Sequence, residues 1–356
     1  MSSFHLESFV SAPGEPRLSP WTAVRGLAEA PADVVAPGTE CLLLFRGETA
    51  VARATLGVAD DLVDAPGRSG TIGHYEALEA EGGATLLREA CLRLAARGAT
   101  RVLGPMNGNT WMRYRLALPT EPGDPEFRPP FFAGELRNPF EYPEHFAAAG
   151  FQIVSYYESR IEDLRSATDL NDRANSTGPS APDPVGADPV GADPVGADPS
   201  VRLRTVDPAR FDQELEALHR VSLLAFADNL YYSPIELSTF RALYEPFRGR
   251  LDPSFVLMAE DRSGDLLGYL FAYPDPISLE NGRPTRLILK TIGVVPAARG
   301  RRVGSLLIDQ ARRAAKAREI PFAMYALMRA DNLTRGMSER RVAQLFRRYA
   351  LYEWRP

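Results

Sequence analysis

Leu287-Ile288-Leu289-Lys290-Thr291-Ile292-Gly293-Val294-Val295-Pro296-Ala297-Ala298-Arg299-Gly300-Arg301-Arg302-Val303-Gly304-Ser305-Leu306-Leu307 is the stretch from which the rest of the chain is read. An apolar run suited to a strand ends at Val295-Pro296. A basic turn follows, and a helix is expected from near Val303. The amides that open a helix have no acceptor inside it and can hold an anion. Gly300 and Gly304 let the backbone approach that anion, and the guanidiniums of Arg299, Arg301 and Arg302 suit phosphate. Read alone, the same residues also describe an ordinary strand–helix turn with a solvated basic loop.

Ile292-Gly293-Val294-Val295-Pro296 followed by Arg299-Gly300-Arg301-Arg302-Val303-Gly304-Ser305 resembles the acetyl-CoA loop of the GNAT acetyltransferase superfamily, written Q/R-x-x-G-x-G/A. Arg299 matches the first position and Gly304 the last; Arg302 stands where the first glycine is usual. The resemblance implies an α/β fold with a mixed central sheet flanked by helices, acetyl-CoA as co-substrate and an amine as acceptor. It assigns the backbone of Ile292 and Val294, on either side of Gly293, to the acetyl carbonyl and the pantetheine arm. Arg299 and the run Gly300, Arg301, Arg302, Val303, Gly304, Ser305 would hold the pyrophosphate. Asn332 matches an Asn that contacts the CoA arm, although a helix cap explains it equally.

The proton chemistry is less determined. Many members of the superfamily place a Tyr about seven residues after that Asn as the acid for the thiolate; here the place is Glu339. Tyr325, Tyr349 and Tyr352 are the substitutes, and Asp275 is a carboxylate that could face the substrate. Acceptor contacts are expected from Asp228-Asn229-Leu230-Tyr231-Tyr232, between the first two helices of the second half, where Asp228 could pair with an ammonium. An ordinary helix-end turn with packed Tyr231 and Tyr232 reads the same. Gly104-Pro105-Met106-Asn107-Gly108-Asn109-Thr110-Trp111 suggests a shaped pocket wall using Asn107 and Trp111, or a tight turn with Trp111 in the core.

At 356 residues the chain is long enough for two cores. Its formal net charge of −5 offers no global field for nucleic acid or a membrane surface. Its basic residues are nearly all Arg, with only Lys290 and Lys316 as lysines. Cys41 and Cys91 are too few for a disulfide framework, and His5, His74, His145 and His219 have no metal-ligand spacing, so no metal is expected. The start of the chain lacks a basic, apolar leader and no segment reaches membrane-spanning length, which predicts a cytoplasmic protein.

In order, the pattern predicts a hairpin over Cys41–Phe45 and Thr49–Gly57, a strand at Thr71–Leu78, a helix at Ala84–Arg97, a strand at Arg101–Leu103, a helix at Tyr142–Ala149 and a strand at Phe151–Ser159. Residues up to about 35 are rich in Pro, Ala and Gly, with Trp21 as a candidate anchor. Asp183-Pro184-Val185-Gly186-Ala187 recurs at Asp188 and Asp193 and ends in Asp198-Pro199, a composition for a semi-extended spacer. Beyond it come strand Val201–Val206, helix Pro208–Phe226, a helix from Ser233-Pro234, strands Ser254–Glu260 and Leu266–Tyr273, strand Thr285–Val295, helix Gly304–Arg318, strand Pro321–Met328, helix Leu333–Arg348 and strand Tyr349–Trp354. That is the GNAT order, with the last strand left short of a partner.

The halves overlay. Thr71-Ile72-Gly73 and Thr291-Ile292-Gly293 lie 220 residues apart, and so do Leu86-Leu87 and Leu306-Leu307. The overlay sets Glu79 and Glu81 against Arg299 and Arg301. Carboxylates there oppose a pyrophosphate. The expectation is therefore a degenerate GNAT-like domain (1–168), a linker (169–200) and an acetyl-CoA-binding domain (201–356). The whole would be an N-acyltransferase for a small-molecule or peptide amine, without nucleic-acid or membrane partners. The alternatives are a non-catalytic acyl-CoA sensor and, ranked below it, a tRNA-dependent aminoacyl transferase.

Overall fold

The computed structural model describes residues 3–24, 35–119, 130–165, 198, 200–330 and 343–356. The first half holds β1 (Phe4–Val10), α1 (Leu18–Ala23), β2 (Glu40–Arg46), β3 (Thr49–Leu62), β4 (Ala65–Ala77), α2 (Ala80–Ala96), β5 (Arg101–Gly104), β6 (Leu116–Ala117), α3 (Tyr142–Ala148) and β7 (Gln152–Asp163). The second holds β8 (Arg202–Thr205), α4 (Phe211–Ala225), α5 (Leu237–Tyr244), β9 (Val256–Glu260), β10 (Leu266–Pro274), β11 (Leu279–Glu280), β12 (Arg283–Pro284), β13 (Arg286–Val294), α6 (Val303–Ala317), β14 (Phe322–Arg329) and β15 (Gln344–Trp354).

One mixed sheet runs through both halves in the order β1-β2-β3-β4-β5-β15-β7-β14-β13-β10-β9-β8, with β6 also on β15. The chain's last strand finds its partners in the first half. β15 lies between β5 (Tyr352↔Gly104) and β7 (Tyr349↔Tyr157). β7 in turn pairs with β14 (Met324↔Ile161). The first half's β7 thus bridges the second half's β14 and β15, and the halves interlock through main-chain hydrogen bonds.

Sequence pattern explains the layers. On α2, Leu86, Leu87, Ala90, Cys91 and Leu94 are buried against β2, β3 and β4. On α6, Leu307, Ile308, Ala311 and Ala315 repeat at helical spacing and pack on β9, β10 and β13. Leu215, Leu218 and Val221 of α4 cover the opposite face of the same strands, with Val256, Met258, Tyr269 and Phe271 beneath. Among the described residues no helix is long and apolar enough to cross a membrane.

Some expectations are corrected. Phe4–Val10, inside the Pro-, Ala- and Gly-rich stretch to which the sequence pattern assigns no element, is the sheet's edge strand, and Trp21 is fully buried with the Arg53 guanidinium 4.0 Å from its ring centre. The helix expected from Ser233-Pro234 begins at Leu237. Of the helix expected over Leu333–Arg348, residues 333–342 lie outside the described residues, and Gln344–Arg348 are strand because β7 offers them a ladder (Gln344↔Ile161). Cross-strand pairing outweighs local helical preference there. The Asp-Pro repeats also lie outside the described residues, apart from Asp198.

Candidate functional site

The two parallel strand pairs, β4–β5 and β13–β14, each begin in register and then part. β13 pairs with β14 from Arg286↔Phe322 to Leu289↔Tyr325, where the ladder ends. β4 pairs with β5 from Ser69↔Arg101 to Thr71↔Leu103, and that ladder ends there. What fills the two partings differs.

In the first half the chain fills the parting itself. The Met106 amide donates to the Ile72 carbonyl (2.7 Å), and the His74 amide donates to Asn107 Oδ1 (2.8 Å). A Cβ on Gly73 would stand 2.7 Å from the Met106 carbonyl oxygen. Asn107 is therefore a plug in the first half and does not line the second half's cleft. Glu79 and Glu81 pair with Arg46 (2.8 and 2.6 Å), so the corresponding turn presents carboxylates.

In the second half the parting opens into a cleft of about 450 Å³ between the halves. Lys290, Thr291 and Ile292 form one wall; Leu327, Met328 and Arg329 stand opposite. Leu327 has φ 56°, and its amide turns to Ser159 Oγ (3.0 Å), which carries β14 away from β13. Trp111 comes over from the first half. Its Nε1 donates to the Ser233 carbonyl (2.9 Å), and its ring meets Phe226, Tyr232 and Phe240. Val63 and the Tyr231–Tyr232 pair exchange main-chain hydrogen bonds (2.9 and 3.3 Å), which fix the α4–α5 loop to the first half.

Past Val294 the chain turns into α6. Gly300 has φ 85° and no atom within 4 Å of where a Cβ would be. Arg302, at the place usually held by glycine, is left-handed (φ 62°, ψ 11°) as the residue preceding the helix. The first bond into the helix is Leu306 N–H to the Arg302 carbonyl (3.0 Å). The amides of Val303, Gly304 and Ser305 thus head the helix in the geometry an anion needs. Val303 and Gly304 are buried against the helix's own layer. Arg301 donates to Asp198 (2.8 Å) and Ser200 Oγ (2.9 Å); hydrogen bonds to Asp198 from the Ser200 hydroxyl and then its amide (2.9 Å), followed by the one from Arg301, hold the Asp198 carboxyl down at about 2. Arg299 reaches Asp228 (3.4 Å) at the surface.

The remaining expected site residues disperse. Asp228 is exposed beside Arg299, and Tyr231 is buried with its hydroxyl on Glu353 (3.0 Å). Tyr232 lines the cleft with a buried hydroxyl that has no hydrogen-bond partner among the described residues, and burial raises its pKa. Tyr325 lines the cleft, but its hydroxyl donates to Glu162 (2.7 Å), which also takes the buried Arg312 guanidinium (2.7 Å). Tyr349 is buried away from the cleft with its hydroxyl on Glu135 and Ser159, and Tyr352 is buried in the first half's core. The β15 register that places both at the heart of the first half's sheet separates them from the cleft. Asp275 is fully buried, pairs with Arg286 (2.9 Å) and accepts from the Ala133 amide (3.2 Å), so it is a structural ion pair. Asn332 lies outside the described residues.

Sequence reading missed Lys290. It is partly buried at the cleft wall, and burial, followed by the charges of Arg115 and Arg113, lowers its pKa to about 8. The signal available was its rarity in an arginine-rich chain and its place two residues before Ile292.

Residues 221–335 match the Acetyltransferase (GNAT) family pattern. No curated protein sequence matches the chain. Over 99% of its length the chain is similar in structure to a tandem GNAT protein from the clavulanic acid biosynthesis pathway (15% identity, 98% of that chain, TM-score 0.52). It is similar over the same share to a GCN5-related N-acetyltransferase from Sphaerobacter thermophilus (14% identity, 96% of that chain, TM-score 0.50). A third similar structure is a GCN5-related glucosamine N-acetyltransferase region of a fungal multi-domain GH3 β-N-acetylglucosaminidase (13% identity, TM-score 0.57); there the chain spans only 38% of the length. At these identities the structures establish the fold. This chain has the tandem GNAT fold, and its second half carries the sequence pattern of the GNAT acetyltransferase family.

Proposed function

We propose that the protein is an acyl-CoA-dependent N-acyltransferase, using acetyl-CoA, that works in the cleft where β13 and β14 part. The observation that carries this reading is the contrast between the two partings. The first is closed by Met106 and Asn107; the second is open, and β13, which forms its wall at Lys290–Ile292, runs on through Val294 into the turn that precedes α6.

The chain's own residues divide the work. The amides of Val303–Ser305, with Arg299 and Arg302 beside them, bind the pyrophosphate. The unpaired edge of β13 at Ile292 and Val294 receives the pantetheine arm and offers an amide to the carbonyl oxygen that gains charge during attack. The cleft holds the amine against the thioester, and most of the rate gain comes from this placement. The arginines of the lining, Arg113 and Arg115, disfavour a further positive charge, so a bound amine sheds its proton and arrives as the nucleophile. The first half is a degenerate copy that supplies the far wall through Trp111 and does not itself hold acyl-CoA.

The test is thiol release by the full chain from acetyl-CoA over a panel of amines, with the acetylated product identified by mass. Saturable acetyl-CoA binding with no thiol from any amine supports the sensor reading instead, which the engaged Tyr325 hydroxyl favours.

A further inference from the structure

The acceptor side of the cleft has a charge pattern that acyl transfer alone does not require. Its described lining includes Arg113, Arg115, Lys290 and Arg329, and no Asp or Glu. Two of these cations, Arg115 and the partly buried Lys290, have no carboxylate beside them among the described residues. Arg115 is only 8% exposed. Its hydrogen bonds go to the carbonyls of Leu327 (3.0 Å) and Tyr114 (3.1 Å), and its guanidinium lies between the Tyr114 and Tyr157 rings (3.9 and 4.0 Å). Lys290 has no ion pair among the described residues. A charge withdrawn from water without a counter-charge destabilises the fold, and proteins keep such a group where a ligand completes it. The lowered pKa of Lys290, to about 8, is what an uncompensated neighbourhood of burial, Arg115 and Arg113 produces.

Position separates this cluster from the pyrophosphate. β13 runs from Arg286 to Val294 and then to the α6 entrance, so Lys290 sits on the far side of Ile292 from Gly300. The anion it awaits therefore belongs to the acceptor. The rest of that wall is aromatic, with Trp111, Phe226, Tyr244 and Phe271. It also holds the unpartnered Tyr232 hydroxyl.

We infer that the acceptor is an amine bearing a carboxylate on a ring-containing apolar body, with Lys290 and Arg115 binding the carboxylate and the aromatic wall holding the body. This rests on the acyl-transfer reading for the amine, but the acid recognition is measurable without it. The two matched pairs tyrosine with tyramine and phenylalanine with phenethylamine are titrated into the full chain without acyl donor, by calorimetry. The carboxylated member of each pair binds at least about tenfold tighter. Lys290→Met reduces that preference to about twofold and leaves the decarboxylated amines unchanged, while Lys290→Arg retains it. In turnover, Lys290→Met raises KM for the carboxylated amine and leaves kcat; a proton-accepting role would lower kcat for both members.

Equal or weaker binding of the carboxylated members overturns the inference. So does failure of both pairs to bind, or an equal loss for both members in Lys290→Met. Preferential binding without thiol release upholds the acid recognition and overturns the transfer reading.

Discussion

Gly73→Ala tests whether the first half's parting is closed by its own chain. An alanine Cβ there would lie 2.7 Å from the Met106 carbonyl oxygen, 2.8 Å from Asn107 Cα and 3.0 Å from Asn107 Oδ1. The two closest are main-chain atoms, so no rotamer change relieves them. Overpacking of this kind costs about 1–3 kcal/mol. Pushing the segment out also weakens the Met106–Ile72 and His74–Asn107 hydrogen bonds, each worth roughly 1 kcal/mol net. The sum is a loss of about 2–4 kcal/mol.

Gly293→Ala is the control at the equivalent place. There the three nearest atoms are Tyr269 Cε1 at 3.0 Å, Ala225 Cβ at 3.3 Å and Phe226 Cζ at 3.5 Å; none is a main-chain atom and the two rings can turn aside, at a cost of about 1 kcal/mol. Urea unfolding of both variants beside the unaltered chain measures the difference. Calorimetric titration with acetyl-CoA should give Gly73→Ala the unaltered affinity. A Gly73→Ala protein as stable as the parent to within about 0.5 kcal/mol would mean that the parting is not plugged, and the contrast between the halves would fall with it.

Arg299→Glu and Gly304→Glu each place a carboxylate at the head of α6 and should weaken acetyl-CoA binding about tenfold or more by titration; unchanged affinity in both removes the phosphate site. Asp198→Asn frees Arg301 from its 2.8 Å partner, and acetyl-CoA affinity should rise at low salt by no more than about fivefold, a gain that added salt erases. Lys290 has its pKa lowered to about 8 from 10.5, so the folded state holds its proton less tightly than the unfolded chain. The penalty for its charge is complete below about 8 and fades as pH rises toward 10.5, so Lys290→Met should stabilise the protein most at neutral pH, with the gain over the parent shrinking across that window. A gain that is constant from pH 7 to 10.5 contradicts this.

Local chemistry was enough for the elements that depend on neighbours in sequence. Hydrophobic period located α2, α4 and α6, and the run from Leu287 through Gly304 announced a strand, a basic turn and a helix entrance, because each rests on contacts a few residues apart. Arg302 shows the limit of the pattern: the left-handed backbone usual for glycine is kept although the residue is not glycine. The 220-residue overlay set Glu79 and Glu81 against Arg299 and Arg301, and in the structure both carboxylates pair with Arg46.

Tertiary structure decided what depends on distant partners. Nothing local says that Gln344–Trp354 passes between β5 and β7, and that choice removed Tyr349 and Tyr352 from the cleft and extended a strand through residues read as helix. Asn107, read as a pocket residue, closes the wrong parting, and Asp275 lies sealed under Arg286. Lys290 acquires its character only when Arg113 and Arg115, 177 and 175 residues away in sequence, are brought beside it. Strand order and charge neighbourhood are set by non-local pairing and by the exclusion of water, and neither is written in the spacing of a single segment.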